Sequence, residues 1–176
     1  KLLQKLASLL EKDAEKFGKI ITQEMNKPIT QSISEVQKCA LMTRYYAEAE
    51  NILKPEKIKT EFRVSEIHSV PKGVILGVMP WNFPFWQALR FAVPAILAGN
   101  TIVLKHASIC FGSGNMIEKL FLKAGFPKGV FQNLEIGHED VKKVLENPII
   151  KGVSLTGSEK AGAEVASIAG KNIKKS

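Results

Sequence analysis

The chain contains little cysteine and no long apolar run, and each absence excludes a class of protein. Its 176 residues include two cysteines, Cys39 and Cys110. Two thiols suggest neither a disulfide framework nor a metal cluster and favour burial as small apolar residues. No apolar run approaches the roughly 20 residues of a membrane-spanning helix, and the first residues show no signal-peptide pattern. We therefore expect no bound metal, no membrane partner and a reducing, cytoplasmic location.

Two glycine motifs of nucleotide-binding proteins are incomplete in this sequence. The run Gly112-Ser113-Gly114 begins like a dinucleotide fingerprint, but Ile117 stands where the third glycine should be. Gly157 and Gly162 have the spacing of the outer glycines of a P-loop, yet Ala163 replaces its lysine. The standard forms of both sites are therefore excluded.

The chain is basic, with a formal charge of +8 and a pI near 9.5. Such a charge raises the hypothesis of a polyanionic partner. The lysines are scattered along predicted helical surfaces and cluster only in the run from Lys171 to Lys175. No nucleic-acid module is recognisable, so we favour solvated surfaces and expect no nucleic-acid partner. A non-catalytic binding or interaction module that binds a polyanion stays open as the alternative to an enzyme.

Short apolar segments alternate with helical patterns through most of the chain. The run from Val74 to Met79 is rich in β-branched residues and bounded by glycine and proline, which favours a buried strand. Alternation of this kind predicts βαβ units and a mainly parallel sheet flanked by helices. Further strands are predicted at residues 101–104, 130–134 and 152–156, and helices at residues 85–97, 112–124, 140–146 and 158–169.

Two amphipathic helices are predicted before the sheet. Apolar residues at the i, i+3, i+4 spacing run from Leu2 to about Met25, and a second pattern runs from Ile33 to Ala47. We assign residues 1–53 to these helices, which support the sheet and carry no recognisable chemistry.

The remaining segments complete one α/β domain over residues 1–176. Polar and apolar residues alternate within residues 57–71, which predicts a half-exposed strand or hairpin. A strand outside the main sheet is a suitable edge for docking another chain. The βα units then occupy residues 72–170.

The turn Pro80-Trp81-Asn82-Phe83-Pro84 organises the predicted fold. It separates the first apolar strand from a helix in which Pro84 suits the first turn. Asn82 is therefore expected at the carboxyl end of a sheet, where open α/β sheets bind ligands. Lys105 ends the next strand. The segment Thr156-Gly157-Ser158 lies at the end of the last predicted strand, where Ser158 can cap the next helix. Such a helix start can bind a phosphate, or it can be an ordinary helix start without a ligand.

Three of these motifs together resemble the aldehyde dehydrogenase superfamily. They are Pro80-Trp81-Asn82-Phe83-Pro84, then Lys105 about one βα unit later, and Leu155-Thr156-Gly157-Ser158 in the last unit. The resemblance extends from Val70 to about Ala169. It implies a modified Rossmann sheet without the usual glycine fingerprint, NAD or NADP as cofactor, an aldehyde as the small-molecule substrate, and a homo-oligomer.

The resemblance also implies roles for individual residues. Asn82 would donate its side-chain amide to the oxyanion that forms when a thiolate attacks the aldehyde. Lys105 would hold the adenosine ribose, and Gly137 would lie near the adenine. The residues implied to bind the cofactor are Met79, Pro80, Trp81, Asn82, Lys105, Ser108, Gly137, Thr156, Gly157 and Ser158.

Two departures from the common family pattern bear on cofactor and substrate. Ser108 stands where many relatives have a glutamate that excludes a 2′-phosphate, so NADP is permitted beside NAD. His106, in place of proline, resembles bacterial succinate semialdehyde dehydrogenases. Arg90 lies one helical turn after Trp86, so both are expected to face the substrate, where the guanidinium suits a carboxylate.

The family's nucleophilic cysteine and glutamate base find no match in these residues. Cys110 follows Lys105 on the wrong side of the predicted fold, and no base is spaced to activate it. We therefore expect one incomplete dinucleotide-binding domain, with the catalytic domain absent and the chain as given inactive.

Overall fold

The computed structural model describes residues 1–49 and 53–176. Three helices precede the sheet: α1 (Leu2–Lys12), α2 (Ala14–Met25) and α3 (Ile29–Glu48). The first apolar stripe predicts one helix from Leu2 to Met25, but Asp13 interrupts it, with φ −105° and ψ 20°. Aspartate favours turns and caps because it competes for backbone hydrogen bonds. The expected two leading helices are therefore three, and both α1 and α2 pack against α3.

The end of the predicted supporting segment, at residues 50–52, lies outside the described residues. After it, a hairpin is formed by β1 (Glu56–Lys57) and β2 (Glu66–Ile67), which pair antiparallel. Its apolar side chains face solvent: Phe62 and Val64 are 72% and 71% exposed. The alternating pattern in residues 57–71 thus belongs to a short surface hairpin outside the main sheet.

The main sheet is parallel, with strand order β5-β4-β3-β6. The chain runs outward from β3 through β4 to β5 and then returns to the other side of β3 as β6. The carboxyl ends of β3 and β6 therefore form a topological switch point, where ligands bind in open α/β sheets. The strands are β3 (Val74–Met79), β4 (Thr101–His106), β5 (Phe131–Asn133) and β6 (Ile150–Leu155).

Helices cover both faces of the sheet, as the α/β prediction requires. They are α4 (Pro84–Leu97), α5 (Phe111–Ala124), α6 (Val141–Glu146) and α7 (Glu159–Lys171). The five helices from α1 through α5 share one hydrophobic core with one face of the sheet. Helices α6 and α7 share a second core with the other face. The predicted fold class, a parallel α/β sheet flanked by helices, is confirmed.

Close packing of α4 on the sheet depends on Gly77 in the middle of β3. A Cβ at this position would lie 2.6 Å from the ring of Phe91 on α4. Glycine therefore lets α4 approach the central strand closely, and this approach fixes where the turn between β3 and α4 begins and ends.

Candidate functional site

The turn between β3 and α4 is fixed by hydrogen bonds to its carbonyl oxygens. Four consecutive carbonyls, from Trp81 to Pro84, each accept a bond from a different group. Sγ of Cys110 donates to Trp81 at 3.8 Å, and Nζ of Lys27 donates to Asn82 at 3.1 Å. The backbone N–H of Gln87 donates to Phe83 at 2.8 Å, and Nε2 of His106 donates to Pro84 at 2.9 Å. The backbone that carries Asn82 is thus held from several sides.

A buried carboxylate, that of Glu35 on α3, caps the helix that follows the turn. Its Oε1 accepts the backbone N–H groups of Phe85 at 2.9 Å and Trp86 at 3.0 Å. Its Oε2 lies 2.6 Å from Nζ of Lys27, and the two side chains are 1% and 7% exposed. A carboxylate at this place satisfies two otherwise unpaired N–H groups and complements the helix dipole.

Sequence reasoning missed this pair. A glutamate and a lysine in or beside an amphipathic helix resemble surface charges, and the two positions carry no motif. The one local signal is Lys27-Pro28, which marks the break between α2 and α3. The ammonium of Lys27 also lies 3.5 Å from the centroid of the Phe83 ring, so both partners of the ion pair contact the turn region.

The side chain of Asn82 is exposed on this fixed backbone. Its amide makes no hydrogen bond to any residue of the part of the chain that the structure describes. An amide held by its backbone and free at its NH₂ group can donate to a ligand without first breaking a protein bond.

His106 holds the other side of the turn from the end of β4. Its Nδ1 accepts the Ala107 N–H at 2.9 Å, so Nε2 carries the proton that is donated to the Pro84 carbonyl. Burial lowers the pKa of His106; the bond to Pro84 opposes this shift, and the charge of Lys105 adds to it. The neutral ring is the form that satisfies both hydrogen bonds.

A cleft of about 710 Å³ lies at the carboxyl ends of β3, β4 and β6. Lys105 lies in its wall and is 7% exposed. Burial lowers the pKa of this lysine, and the charge of Glu139 opposes the shift. Its ammonium has no hydrogen-bond partner among residues 1–49 and 53–176. Other lining residues include Val78, His138, Leu155, Ala161 and Ile168.

Among the residues expected to bind a cofactor, Lys105 lines this cleft, whereas Ser108, Gly137, Gly157 and Ser158 do not. Ser158 caps α7, where its Oγ accepts the Ala161 N–H at 3.3 Å, and Gly157 is exposed just before it. Gly137 is half-buried, and a Cβ there would overlap the carboxylate of Glu139. Ser108 is exposed in the 3₁₀ turn Ser108–Cys110 after β4.

Arg90 and Trp86, expected to face one substrate, line different cavities. Nη2 of Arg90 donates to Oγ1 of Thr156 at 3.2 Å, beside a cavity of about 370 Å³ that Met79 also lines. Trp86 lines a cavity of about 400 Å³ with Phe83 and lies 4.0 Å from Nζ of Lys38. Arg90 is therefore placed with residues expected to hold the cofactor.

The two cysteines are unsuited to nucleophilic chemistry. Burial raises the pKa of Cys110 to about 12, with the charges of Glu24 and Glu35 adding to the shift. Burial also raises the pKa of Cys39 well above its usual value. A nucleophilic thiol needs the opposite environment, because the thiolate is the reactive form. In the described parts of the chain, no group of three His, Cys, Asp or Glu side chains could hold a metal ion.

The sheet order and the cleft at its switch point define an α/β protein with a Rossmann-type sheet. The aldehyde dehydrogenase family model matches residues 1–176, so the chain belongs to the aldehyde dehydrogenase family. The resemblance inferred from the three motifs is thereby confirmed. In the described ranges, no helix is both long and apolar enough to cross a membrane.

Several relatives carry a more specific name. The chain is 48% identical over 174 residues to a probable NADP(+) succinate-semialdehyde dehydrogenase of Synechocystis, covering 98% of this chain and 38% of that protein. It is 40% identical over 174 residues to the NAD(P)+ succinate semialdehyde dehydrogenase Sad of Escherichia coli, with 98% and 38% covered. The crystal structure of succinic semialdehyde dehydrogenase from Streptococcus pyogenes with NADP+ matches with a TM-score of 0.95 and 40% identity, covering 99% and 38%. The chain thus spans about 38% of the length of these relatives.

The buried His106 predicts a pH dependence of stability. Because its pKa is lower when folded than the value of about 6.5 expected when unfolded, the unfolded state binds more protons between these two values. Stability is therefore complete above about pH 6.5 and is lost as the pH falls towards the folded pKa, by at most about 1.4 kcal/mol per pH unit for one proton.

Urea unfolding between pH 5 and pH 8 measures this effect. The His106→Gln variant is expected to be less stable at pH 8 but to show a flatter profile, because the buried ring whose pKa is lowered in the folded state is absent. Identical slopes in the two proteins would contradict the role of His106.

Proposed function

We propose that the chain is the cofactor-binding part of an NAD(P)-dependent aldehyde dehydrogenase that oxidises succinate semialdehyde to the acid. One observation carries the proposal. The Asn82 amide, which has no partner among the described residues, stands on a fixed turn at the carboxyl end of β3, and the cleft at the carboxyl ends of β3, β4 and β6 contains the buried Lys105, whose ammonium has no partner there either. The printed names of the relatives support the substrate and the cofactor.

Asn82 serves in this proposal as the oxyanion donor. When a thiolate attacks the aldehyde carbon, a C–S bond forms and the carbonyl electron pair moves to oxygen, where the Asn82 amide stabilises the negative charge. Cys39 and Cys110 are buried, so we propose that the thiolate comes from outside these 176 residues. The chain alone is then expected to bind cofactor without turnover.

The cleft suits a dinucleotide. When bound, NAD or NADP would accept the hydride that leaves the substrate carbon. Water would then hydrolyse the thioester. Lys105 would bind the ribose hydroxyls, since its ammonium opens to the cleft and has no partner among the described residues. The N-terminus of α7, with Thr156, Gly157 and Ser158, would hold the pyrophosphate. Met79, Pro80 and Trp81 would contact the nicotinamide end, and Gly137 the adenine.

Ser108 would leave room for the 2′-phosphate of NADP. A carboxylate at this position would repel that phosphate, whereas a hydroxyl does not. Both NAD and NADP are therefore proposed as cofactors.

Arg90 and Trp86 are proposed to bind the substrate. The exposed guanidinium donates one hydrogen bond to Thr156 and has further N–H groups for the far carboxylate of the semialdehyde. Trp86, which lines a different cavity, would contribute apolar contact.

The hairpin of β1 and β2 is proposed to help form a homo-oligomer of the whole protein. Its exposed apolar residues, which include Phe62, Val64 and Ile67, support this assignment. A cytoplasmic location is proposed because both cysteines are free thiols.

The test of the proposed function is Asn82→Ala in the whole protein that contains this chain. Loss of the oxyanion donor is expected to lower kcat for succinate semialdehyde by about 100- to 1,000-fold. The dissociation constant of NADP should stay within about twofold, because the cleft around Lys105 is intact. Gln4→Ala, which removes an exposed side-chain amide on α1, is the control. A variant that kept a third of the parent kcat would refute the proposal.

The carboxylate role of Arg90 predicts a change in substrate preference. In the whole protein, Arg90→Met should raise KM for succinate semialdehyde by roughly 10-fold or more, the size expected for a lost charged hydrogen bond. KM for butanal, which has no carboxylate, should change much less. Equal effects on both aldehydes would show that Arg90 does not bind the carboxylate.

The role of Ser108 predicts a change in cofactor preference. Ser108→Glu should weaken NADP binding roughly 10-fold or more while leaving NAD binding within about twofold, because only NADP has a phosphate for the carboxylate to repel. Calorimetric titration with each dinucleotide measures both constants, and Ser108→Gln is the uncharged control. Equal weakening of both cofactors by Ser108→Glu would argue against this placement.

A further inference from the structure

We propose that Lys27 and Glu35 are positioning residues for the Asn82 amide. The inference rests on the proposed function and adds two residues that lie outside the three sequence motifs. They act through the backbone of the turn and do not touch the substrate.

The hydrogen bonds of this ion pair end at the turn and at the start of α4. Apart from the 2.6 Å contact between the two charges, each hydrogen bond of the pair goes to residues 82–86. Lys27 donates to the carbonyl of Asn82 itself, and Glu35 accepts from the backbone of Phe85 and Trp86. The pair thus fixes the peptide on each side of the Phe83-Pro84 step and, with it, the direction of the Asn82 side chain.

Burial of the Lys27–Glu35 ion pair contributes little to folding stability. A buried ion pair is often no more stabilising than apolar side chains of similar volume, because desolvation offsets the attraction. Global stability is therefore a weak reason for placing these charges at 1% and 7% exposure. A fixed backbone at the oxyanion donor is a sufficient one, because misplacement of a catalytic group by about 1 Å can lower the rate on the order of 100-fold.

The link between α2 and α3 directs the side chain of Lys27 towards the turn. Helix α2 ends at Met25 and is capped by Asn26 in the left-handed conformation, with φ 56°, and Pro28 precedes α3. Lys27 is therefore the single residue between an αL cap and a proline. This link turns its side chain into the protein, where it is 8% exposed, and away from the surface that other lysines occupy.

The first experiment compares Lys27→Met with the double variant Lys27→Met/Glu35→Gln in the whole protein. Lys27→Met is expected to lower kcat roughly 10- to 100-fold with KM for succinate semialdehyde little changed, and to lower Tm because Glu35 is left buried without a partner. The double variant removes both charges, so Tm should recover while kcat stays low. Recovery of kcat together with Tm would show that the pair is merely structural and would overturn the proposal.

The second experiment is a double-mutant cycle with Asn82→Ala. If Lys27 acts only through Asn82, then adding Lys27→Met/Glu35→Gln to Asn82→Ala should lower kcat by less than about twofold further. Multiplication of the two separate losses would overturn the proposal. Lys16→Met, an exposed lysine on α2, is the control and should leave kcat and Tm unchanged.

The cycle also separates the two failures. If Asn82→Ala keeps the parent kcat, the proposed function fails and the positioning role fails with it. If Asn82→Ala is slow but the double variant Lys27→Met/Glu35→Gln keeps the parent kcat, only the positioning role is refuted.

Discussion

The carboxylate of Glu35 is the interaction on which the site depends. One oxygen binds Lys27 and the other binds the first N–H groups of α4, so a single buried side chain connects α3, the α2–α3 link and the start of α4. The helix that it caps carries Phe85, which is fully buried and stacks on Phe17 of α2 at 5.6 Å between centroids. The leading helices therefore do more than cover the sheet, because they determine where the turn after β3 lies.

The parallel register brings the rest of the site to the same edge. Val78 on the central strand lies opposite Lys105 of β4 and Leu155 of β6. The groups that follow these three positions are the Asn82 turn, the His106-Ala107-Ser108 segment and the start of α7. Sequence segments that are far apart thus meet at one switch point, where the Lys105 ammonium has no hydrogen-bond partner among the described residues.

The strands and the turn could be predicted because their signals are local. An apolar run bounded by glycine and proline marks β3, an apolar run after Gly99 marks β4, and Pro84 marks the first turn of α4. The break at Asp13 was missed because the apolar stripe continues through it. The Lys27–Glu35 pair was missed because charge burial depends on tertiary packing and leaves no periodic signal. Helical spacing placed Trp86 and Arg90 on one face. In the structure, however, the Trp86 ring contacts Lys38, and the Arg90 guanidinium donates to Thr156.

The central claim is that Asn82 faces the oxygen of a reacting aldehyde. The most direct measurement is a crystal structure of the whole protein soaked with succinate semialdehyde and trapped as its thiohemiacetal in the absence of cofactor. The account predicts Nδ2 of Asn82 about 2.7–3.2 Å from the former aldehyde oxygen, with the turn held by Lys27 and His106. An oxygen bound by other groups, with the Asn82 amide directed to solvent, would contradict it.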